Sequence, residues 1–485
     1  MVDTLVETDV QRMLIGGAWV DAASGEVIDS ENPATHEIVG RFPAADADDV
    51  DRAVDAAAAA QPEWAAMPWT ERGRLLRTLA DRIRDRAREF ALLDVAEAGL
   101  PLKGMLNDAL GAAKELEYFA GLGGELKGST IPSDPEAVSY TLRQPYGVVG
   151  RIVPFNHPFK FAVGKTAAPL LAGNAVLLKP PETASLSALA FGRLAEDLLP
   201  PGVLNIVTGH GAIAGAAIAG HPRIPRVAFT GSVPAGRAVM AAGAEHIKHV
   251  SLELGGKNPL VICPDADLPR AAQAAVKGMN LPRTMGQSCQ SNSRIFVHDS
   301  VADRFLELLV QEIAALRIGD PTDEETDIGP VAYRGHYERI LEHIAAAKED
   351  GARLLTGGGR PDDQAEGYFV APTVFDHVTM DMRIARNEVF GPVIAVLRWS
   401  DEDELLEQAN AVDFGLTAKI WTKDLNVAQR FATRVEAGIV WINDHGAKPP
   451  GIPFGGFKYS GIGKEGSLEE LISYTREKSI VQRMM

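Results

Sequence analysis

From Asp48 to Ala60 and again from Thr70 to Ala98, apolar and charged positions recur at the spacing of one helical face. The pattern, with acidic residues near the first start, predicts surface helices. The alanine run Ala56 to Ala60 reads as helix, alanine being the strongest helix former. From Gly147 onward the texture changes. Short apolar runs, VVGRIV, AVLLKP, VLNIV, RVAFTG and VSLELGG, alternate with helical segments punctuated by Gly or Pro. Strands buried on both faces read as continuous apolar runs, so this alternation predicts a mostly parallel sheet with crossover helices. A second round begins near Asn258, with PLVIC, RIFVH, PVIAVLRW, AKIWT and GIVWIN as strands. Its helices are Val301 to Leu316, Tyr333 to Lys348 and Glu402 to Ala411. Two α/β domains are the simplest account. Between Leu122 and Tyr146 the chain is Gly-rich and then β-like in AVSYTLRQ, and Lys478 to Met484 reads as another strand. Neither has an evident place in a domain core, so both are expected to pair with a second subunit.

The length of 485 residues exceeds one ordinary domain and agrees with this division. Lys plus Arg number 48 against 65 Asp plus Glu, a net charge of −17 spread along the chain, which argues against binding to nucleic acid or an anionic membrane. No stretch reaches the about 18 uninterrupted apolar residues of a spanning helix. The greasiest, Phe161 to Leu178, carries Lys165 and Asn174. The start, MVDTLVETDVQR, lacks the basic and apolar regions of a secretory leader, and the end, VQRMM, matches no sorting signal. With only two cysteines, Cys263 and Cys289, in unlike contexts, nothing suggests a disulfide framework, and a reducing cytoplasm is the expected location.

The candidate chemistry sits at the ends of the apolar runs. Cys263, in LVICP, reads as a small buried hydrophobe. Cys289, in GQSCQSNSR, has small polar neighbours that let a ligand approach, and is open to two readings, buried hydrophobe or reactive thiol. Glu253 follows an apolar strand and precedes two glycines; it is a helix cap, a solvated loop charge or, if desolvated, a general base. Asn156 stands between Pro154 and Pro158, either as a plain turn or as a fixed amide donor for an oxyanion. Lys179 and Glu182 end a strand in KPPE, and Gly231 and Gly236 frame a GxxxxG turn into a helix, both suited to ribose and phosphate binding. That spacing is not the GxGxxG fingerprint and is weak alone.

Taken together and in this order, VPFNHPF, KPPE, FTGS with GxxxxG, ELGGK, GQSC, EVFGP and PFGGFKYSG resemble the aldehyde dehydrogenase superfamily across nearly the whole chain. The resemblance implies an α/β fold with a Rossmann-like cofactor domain (1–121 and 147–255), a second α/β catalytic domain (256–455) and a small β oligomerisation extension (122–146 and 468–485). It implies that Cys289 attacks an aldehyde while Asn156 and the cysteine N–H hold the oxyanion. Hydride then leaves to NAD(P)⁺, and Glu253 activates the water that hydrolyses the thioester. Lys165 and Glu465 match residues that support proton movement around the base, although Lys464 stands where Arg is commoner in the family. For the cofactor, Lys179 and Glu182 match the adenosine ribose site, Gly231, Ser232 and Gly236 the pyrophosphate loop, and Glu388 and Phe390 the nicotinamide end. Pro154, Phe155, Gly211 and Leu254 complete this set, Phe155 standing where many relatives carry Trp. Because a carboxylate bonds a free 2′-hydroxyl and repels a 2′-phosphate, Glu182 predicts NAD in preference to NADP.

Members that pass the acyl group to coenzyme A lack a glutamate at position 253, so its presence favours hydrolysis. Matches to the aldehyde tunnel are His157, Lys160, Ser288, Gln290 and His445, a set that either selects a polar, hydroxylated or anionic aldehyde or turns away into solvent and subunit contacts. The remaining alternatives are a catalytically silent binding protein on the same fold and a cysteine hydrolase, which leaves the cofactor segments without a role. The resemblance also suggests a homodimer or homotetramer.

Overall fold

Two mostly parallel sheets carry the chain, and the computed structural model describes residues 10–484 of it. Residues 1–9, on which most of the leader reading rests, lie outside the described part. The first sheet has eight strands, in the order Ala18–Val20, Met13–Ile15, Leu204–Ile206, Ala175–Lys179, Val148–Ile152, Arg226–Thr230, His249–Glu253 and Gly461–Ile462. The five strands from Leu204–Ile206 to His249–Glu253 are parallel, and the edges are antiparallel. In chain order Val148–Ile152 comes first, the next two strands step to one side of it, and the last two to the other. The reversal lies between Val148–Ile152 and Arg226–Thr230, and the crevice beyond their carboxyl ends is where an open parallel sheet takes a ligand.

Packing fixes the register of these strands. Val176, Leu177 and Leu178 are fully buried, and a side chain of this kind contributes about 1.5–3 kcal/mol when taken from water. A one-residue slip would exchange the faces of the strand, so the position of Lys179 at its end is held by the core. The crossover helix Pro158–Leu171 starts with proline in its first turn, where no backbone donor is lost, and so begins immediately after Asn156 and His157.

The second sheet has seven strands, Arg353–Thr356, Thr373–Asp376, Val393–Trp399, Arg294–His298, Pro259–Ile262, Thr417–Trp421 and Ile439–Ile442, with only the first antiparallel. All ten strands expected from the two rounds of alternation are present. The three later helices are Ala302–Ala314, Arg334–Glu349 and Glu402–Asn410. The first expected helix runs Ala47–Ala66 behind a capping box of Asp46 and Asp49. The second is broken at Arg86 into Trp69–Asp85 and Ala87–Ala98.

The two β-like segments find each other within the one chain. Strand Thr475–Arg483 pairs along its whole length with Ala137–Pro145 of the same chain, and Thr130–Ile131 adds a third strand. Each satisfies the other's backbone, and an outer edge is left along Thr475–Arg483. The preceding residues are not β: Leu468–Ser473 is a helix whose Leu471, with Tyr474 just after it, is buried in the core of the first sheet. Among the described residues no helix is long and apolar enough to cross a membrane.

Candidate active site

Cys289 lies in the turn between helix Leu281–Thr284 and strand Arg294–His298. The amide of Asn258 clamps that turn, donating to the carbonyls of Cys289 (2.7 Å) and Ser291 (2.8 Å). A glycine at 256 is required here, because a Cβ would fall 2.4 Å from the Cys289 carbonyl oxygen. Asn156 reaches the same turn from the carboxyl end of Val148–Ile152, its Nδ2 donating to the Gln287 carbonyl at 2.9 Å. A side-chain amide has two N–H donors, so this bond fixes the group and leaves one N–H unused. The Cys289 backbone N–H also has no acceptor among the described residues.

Glu253 ends strand His249–Glu253 and is 4% exposed. Burial pushes its carboxyl up to about 7, the Glu465 charge adds to this, and Lys165 and a hydrogen bond from the Cys289 thiol oppose it. The thiol is raised well above its ordinary value by burial and by the Glu253 carboxylate. Behind Glu253 lies an ion-paired cluster. The Lys165 ammonium contacts one Glu465 oxygen, and Arg151 Nη2 lies 3.1 Å from the other. Burial alone would raise Glu465; the two cations more than reverse it and hold the carboxyl well below its ordinary range.

Cys289, Glu253 and Lys165 line a cavity of about 380 Å³, and so do His157, Lys160, Ser288, Gln290 and His445. All five tunnel candidates therefore face this cavity. His157 is steered by a residue the sequence did not single out: its Nδ1 lies 2.6 Å from the buried carboxylate of Asp108.

The cofactor candidates gather at the carboxyl edge of the first sheet, because the register aligns Ile152 with Lys179 and Phe229, and Thr230 with Glu253. Pro154 and Phe155 follow directly. Glu182 Oε2 accepts from the Gly211 N–H at 2.7 Å. Burial lowers Lys179 to about 8, against the pull of Glu182. Ser232 Oγ caps helix Val233–Ala244, and Leu254 packs where a Cβ on Gly236 would meet it at 2.8 Å. Glu388 Oε1 accepts from the Gly256 N–H at 2.8 Å, and burial pushes its carboxyl up to about 7. Phe390 and Phe155 approach edge to face at 5.9 Å between ring centres.

A family model, the Aldehyde dehydrogenase family, matches residues 19–480. The chain belongs to the aldehyde dehydrogenase family. It is 43% identical over 473 residues to aldehyde dehydrogenase tropH of Talaromyces stipitatus, covering 96% of this chain and 92% of that protein. Among solved structures it resembles PnpE from Pseudomonas sp. WBC-3 in complex with nicotinamide adenine dinucleotide (38% identity, 98% of both chains, TM-score 0.95). It is also similar to an NADP-dependent enzyme of E. coli (37% identity, 98% of both chains, TM-score 0.95). Membership makes this an oxidoreductase of the NAD(P)-dependent aldehyde dehydrogenase type.

The candidate site of this aldehyde dehydrogenase also contains residues that the motifs do not mark. Tyr333 and His336 flank Phe155 at 5.4 and 5.8 Å between ring centres, and burial holds His336 neutral, lowered to about 4, as its Nε2 donates to the Phe390 carbonyl. In the cavity, Glu115, Lys277, Arg283 and Lys448 were not anticipated. Arg283, in LPRTMGQSC, is the one that proximity to the cysteine motif could have marked. Cys263 is 2% exposed and pushed up to about 12 by burial, in keeping with a packing role.

Proposed function

We propose that this enzyme oxidises its aldehyde to a carboxylic acid through a covalent adduct on Cys289, with water as the acyl acceptor and NAD as the preferred coenzyme. The observation that carries the reading is the convergence of Cys289, Glu253 and the Asn156-anchored turn on one cavity. Glu253, poised near neutrality, takes the proton of the thiol hydrogen-bonded to it. The sulfur then bonds to the carbonyl carbon, and the electron pair moves to oxygen. Two donors are available for that oxygen, the unused N–H of Asn156 and the backbone N–H of Cys289. Preorganised donors of this kind typically contribute 10²–10³ in rate each. When bound, the dinucleotide supplies the hydride acceptor. Before serving a second time Glu253 must release its proton to solvent in the cavity, and the charge of the Lys165 ammonium, held in place by Glu465, favours that loss. Glu253 then takes a proton from water as the water attacks the acyl carbon. The acid leaves, and the Cys289 sulfur is protonated again.

The residues at the sheet edge suit a dinucleotide. Helix Val233–Ala244 offers an N-terminus suited to a pyrophosphate, and at Gly231 an ordinary side chain would collide with Phe229 at 2.5 Å. Glu182 uses Oε2 on Gly211 and keeps Oε1 for a ribose hydroxyl, an arrangement hostile to a 2′-phosphate. Further parts of this reading are a cofactor domain of 1–121 and 147–255, a catalytic domain of 256–455, association of subunits through the three-stranded sheet as a homodimer or homotetramer, and a cytoplasmic location.

The test is NADH absorbance with a panel of aldehydes and with either coenzyme, alongside Cys289→Ala. Free acid as product, a higher kcat/KM with NAD than with NADP, and no turnover by the variant are expected. Turnover by Cys289→Ala would overturn the covalent route, an acyl-CoA product on adding coenzyme A the hydrolytic step, and a clear NADP preference the role of Glu182.

A further inference from the structure

The cavity that contains Cys289 is unusual for so acidic a chain. Five cationic side chains line it, Lys160, Lys165, Lys277, Arg283 and Lys448, against two carboxylates, Glu115 and Glu253. Not all of these cations are neutralised. Lys165 is committed to Glu465, and Lys160 lies 3.6 Å from Glu115. Arg283 rests its Nη2 on the buried Asp108 carboxylate, which it shares with His157, and its Nη1 has no partner among the described residues. Lys277 and Lys448 have no ion-pair partner among the described residues. The Lys448 ammonium lies over the Phe454 ring, 4.4 Å from its centre, and is held below its ordinary range by the surrounding protein and by the charges of Lys165 and Lys160.

The charge is also distributed along the cavity. Glu253 and Ser288 are buried, whereas Lys160 and Arg283 are half-buried and Lys277 and Lys448 exposed. The base thus lies at the shielded end, Cys289 is half-buried like Lys160 and Arg283, and the unpaired Lys277 and Lys448 lie towards the mouth. Like charges held together are unfavourable until a counter-charge enters, and a cavity lined by one sign concentrates ligands of the other even when the net charge of the protein repels them. An arginine whose position is fixed by a buried carboxylate, with a donor left over, is preorganised for an oxyanion.

We propose that the aldehyde carries a carboxylate at the end remote from its carbonyl, received by Arg283 with Lys448 and Lys277, so that the substrate is the semialdehyde of a dicarboxylic acid. This rests on the aldehyde-oxidation reading of the same cavity and names its substrate class. Arg283, Lys448 and Lys277 set specificity and take no part in bond making.

The experiment compares kcat/KM, by NADH formation, for succinate, glutarate and adipate semialdehydes, for their methyl esters, and for glyceraldehyde phosphate. The best semialdehyde is expected to exceed its own ester by about tenfold to a hundredfold, the range of a charge-assisted hydrogen bond, and the ratio is expected to shrink as salt is added. Arg283→Gln should reduce that ratio about tenfold, chiefly through KM, with partial recovery in Arg283→Lys. Because Arg283 also supports Asp108, Lys448→Gln and Lys277→Gln give the same reading from exposed positions where folding is not at stake, each with a smaller drop. Esters turned over as well as semialdehydes would overturn the proposal while leaving aldehyde oxidation intact. A phosphorylated aldehyde as the best substrate would overturn the carboxylate. Absence of NADH with every aldehyde, charged or neutral, would overturn the underlying reading itself.

Discussion

Glu253 and Glu465 are near neighbours, 4% and 8% exposed, and burial acts on both in the same direction. They nevertheless end in opposite states. Glu465 touches Lys165 and Arg151 and is ionised throughout the ordinary range of pH. Glu253 keeps one buried oxygen without a partner among the described residues, faces a thiol, and is poised at about 7. Burial sets how much a proton matters, and the partners decide where it sits. The paired region is built for structure and for holding Lys165 in place, whereas the unpaired one gives up stability for a group that can change charge at neutral pH.

The sharpest way to break the comparison is Glu253→Gln. If Glu253 moves protons, kcat should fall by about 10²–10⁴, with coenzyme binding unaltered. In the wild type kcat should rise with pH through about 7 as the carboxyl ionises, and the variant should lose that limb. An unchanged profile would show that another group is the base.

Next in size is Glu465→Gln, which takes the carboxylate from Lys165 and leaves Arg151 only the more distant Glu470, 3.9 Å away. Breaking a buried pair in this way costs about 3–5 kcal/mol, read as a lower denaturation midpoint. Because the folded carboxyl is held below its unfolded value, the loss should be full at neutral pH and shrink on acidification from the unfolded value, 4.5, down to the folded value of about 2. A loss of activity without loss of stability would place Glu465 with Glu253 and erase the distinction.

The difference between these two carboxylates was only half legible in the sequence. Cys289, Glu253 and Asn156 stand at strand ends and in turns whose glycines and prolines constrain the backbone, so local pattern marks them. The central strands were legible for a similar reason, since burial on both faces leaves uninterrupted apolar runs. The break at Arg86 was not, because neither Gly nor Pro marks it and the flanking pattern continues. Pairing of Ala137–Pro145 with Thr475–Arg483 was hidden as well: β-character shows that an edge needs a partner without naming which one. Lys448 and Asp108 read as ordinary turn or helix residues, and Arg283 is marked only by its nearness to the cysteine motif. Their meaning arises only when helix Leu102–Gly121 brings Asp108 against His157 and Arg283, a matter of assembly rather than of spacing.

The smallest effect tests the claim that Glu253 is kept at a cost. Its carboxyl is held at about 7 in the folded protein against 4.5 unperturbed. Below about pH 4.5 both folded and unfolded chains carry the proton, and the residue contributes nothing to the balance. Between the two values the unfolded chain releases a proton that the folded chain retains, so stability falls as pH rises, and above about 7 the full penalty is present. Gln at 253 has no such penalty. Glu253→Gln should therefore be more stable than the wild type by on the order of 3 kcal/mol at about pH 8, and by less than about 1 kcal/mol at about pH 5. Thermal unfolding of both proteins at the two pH values measures this. A gain of equal size at both would point to packing rather than charge, and a loss at about pH 8 would mean that the ionised carboxylate has found a partner and that Glu253 resembles Glu465 after all.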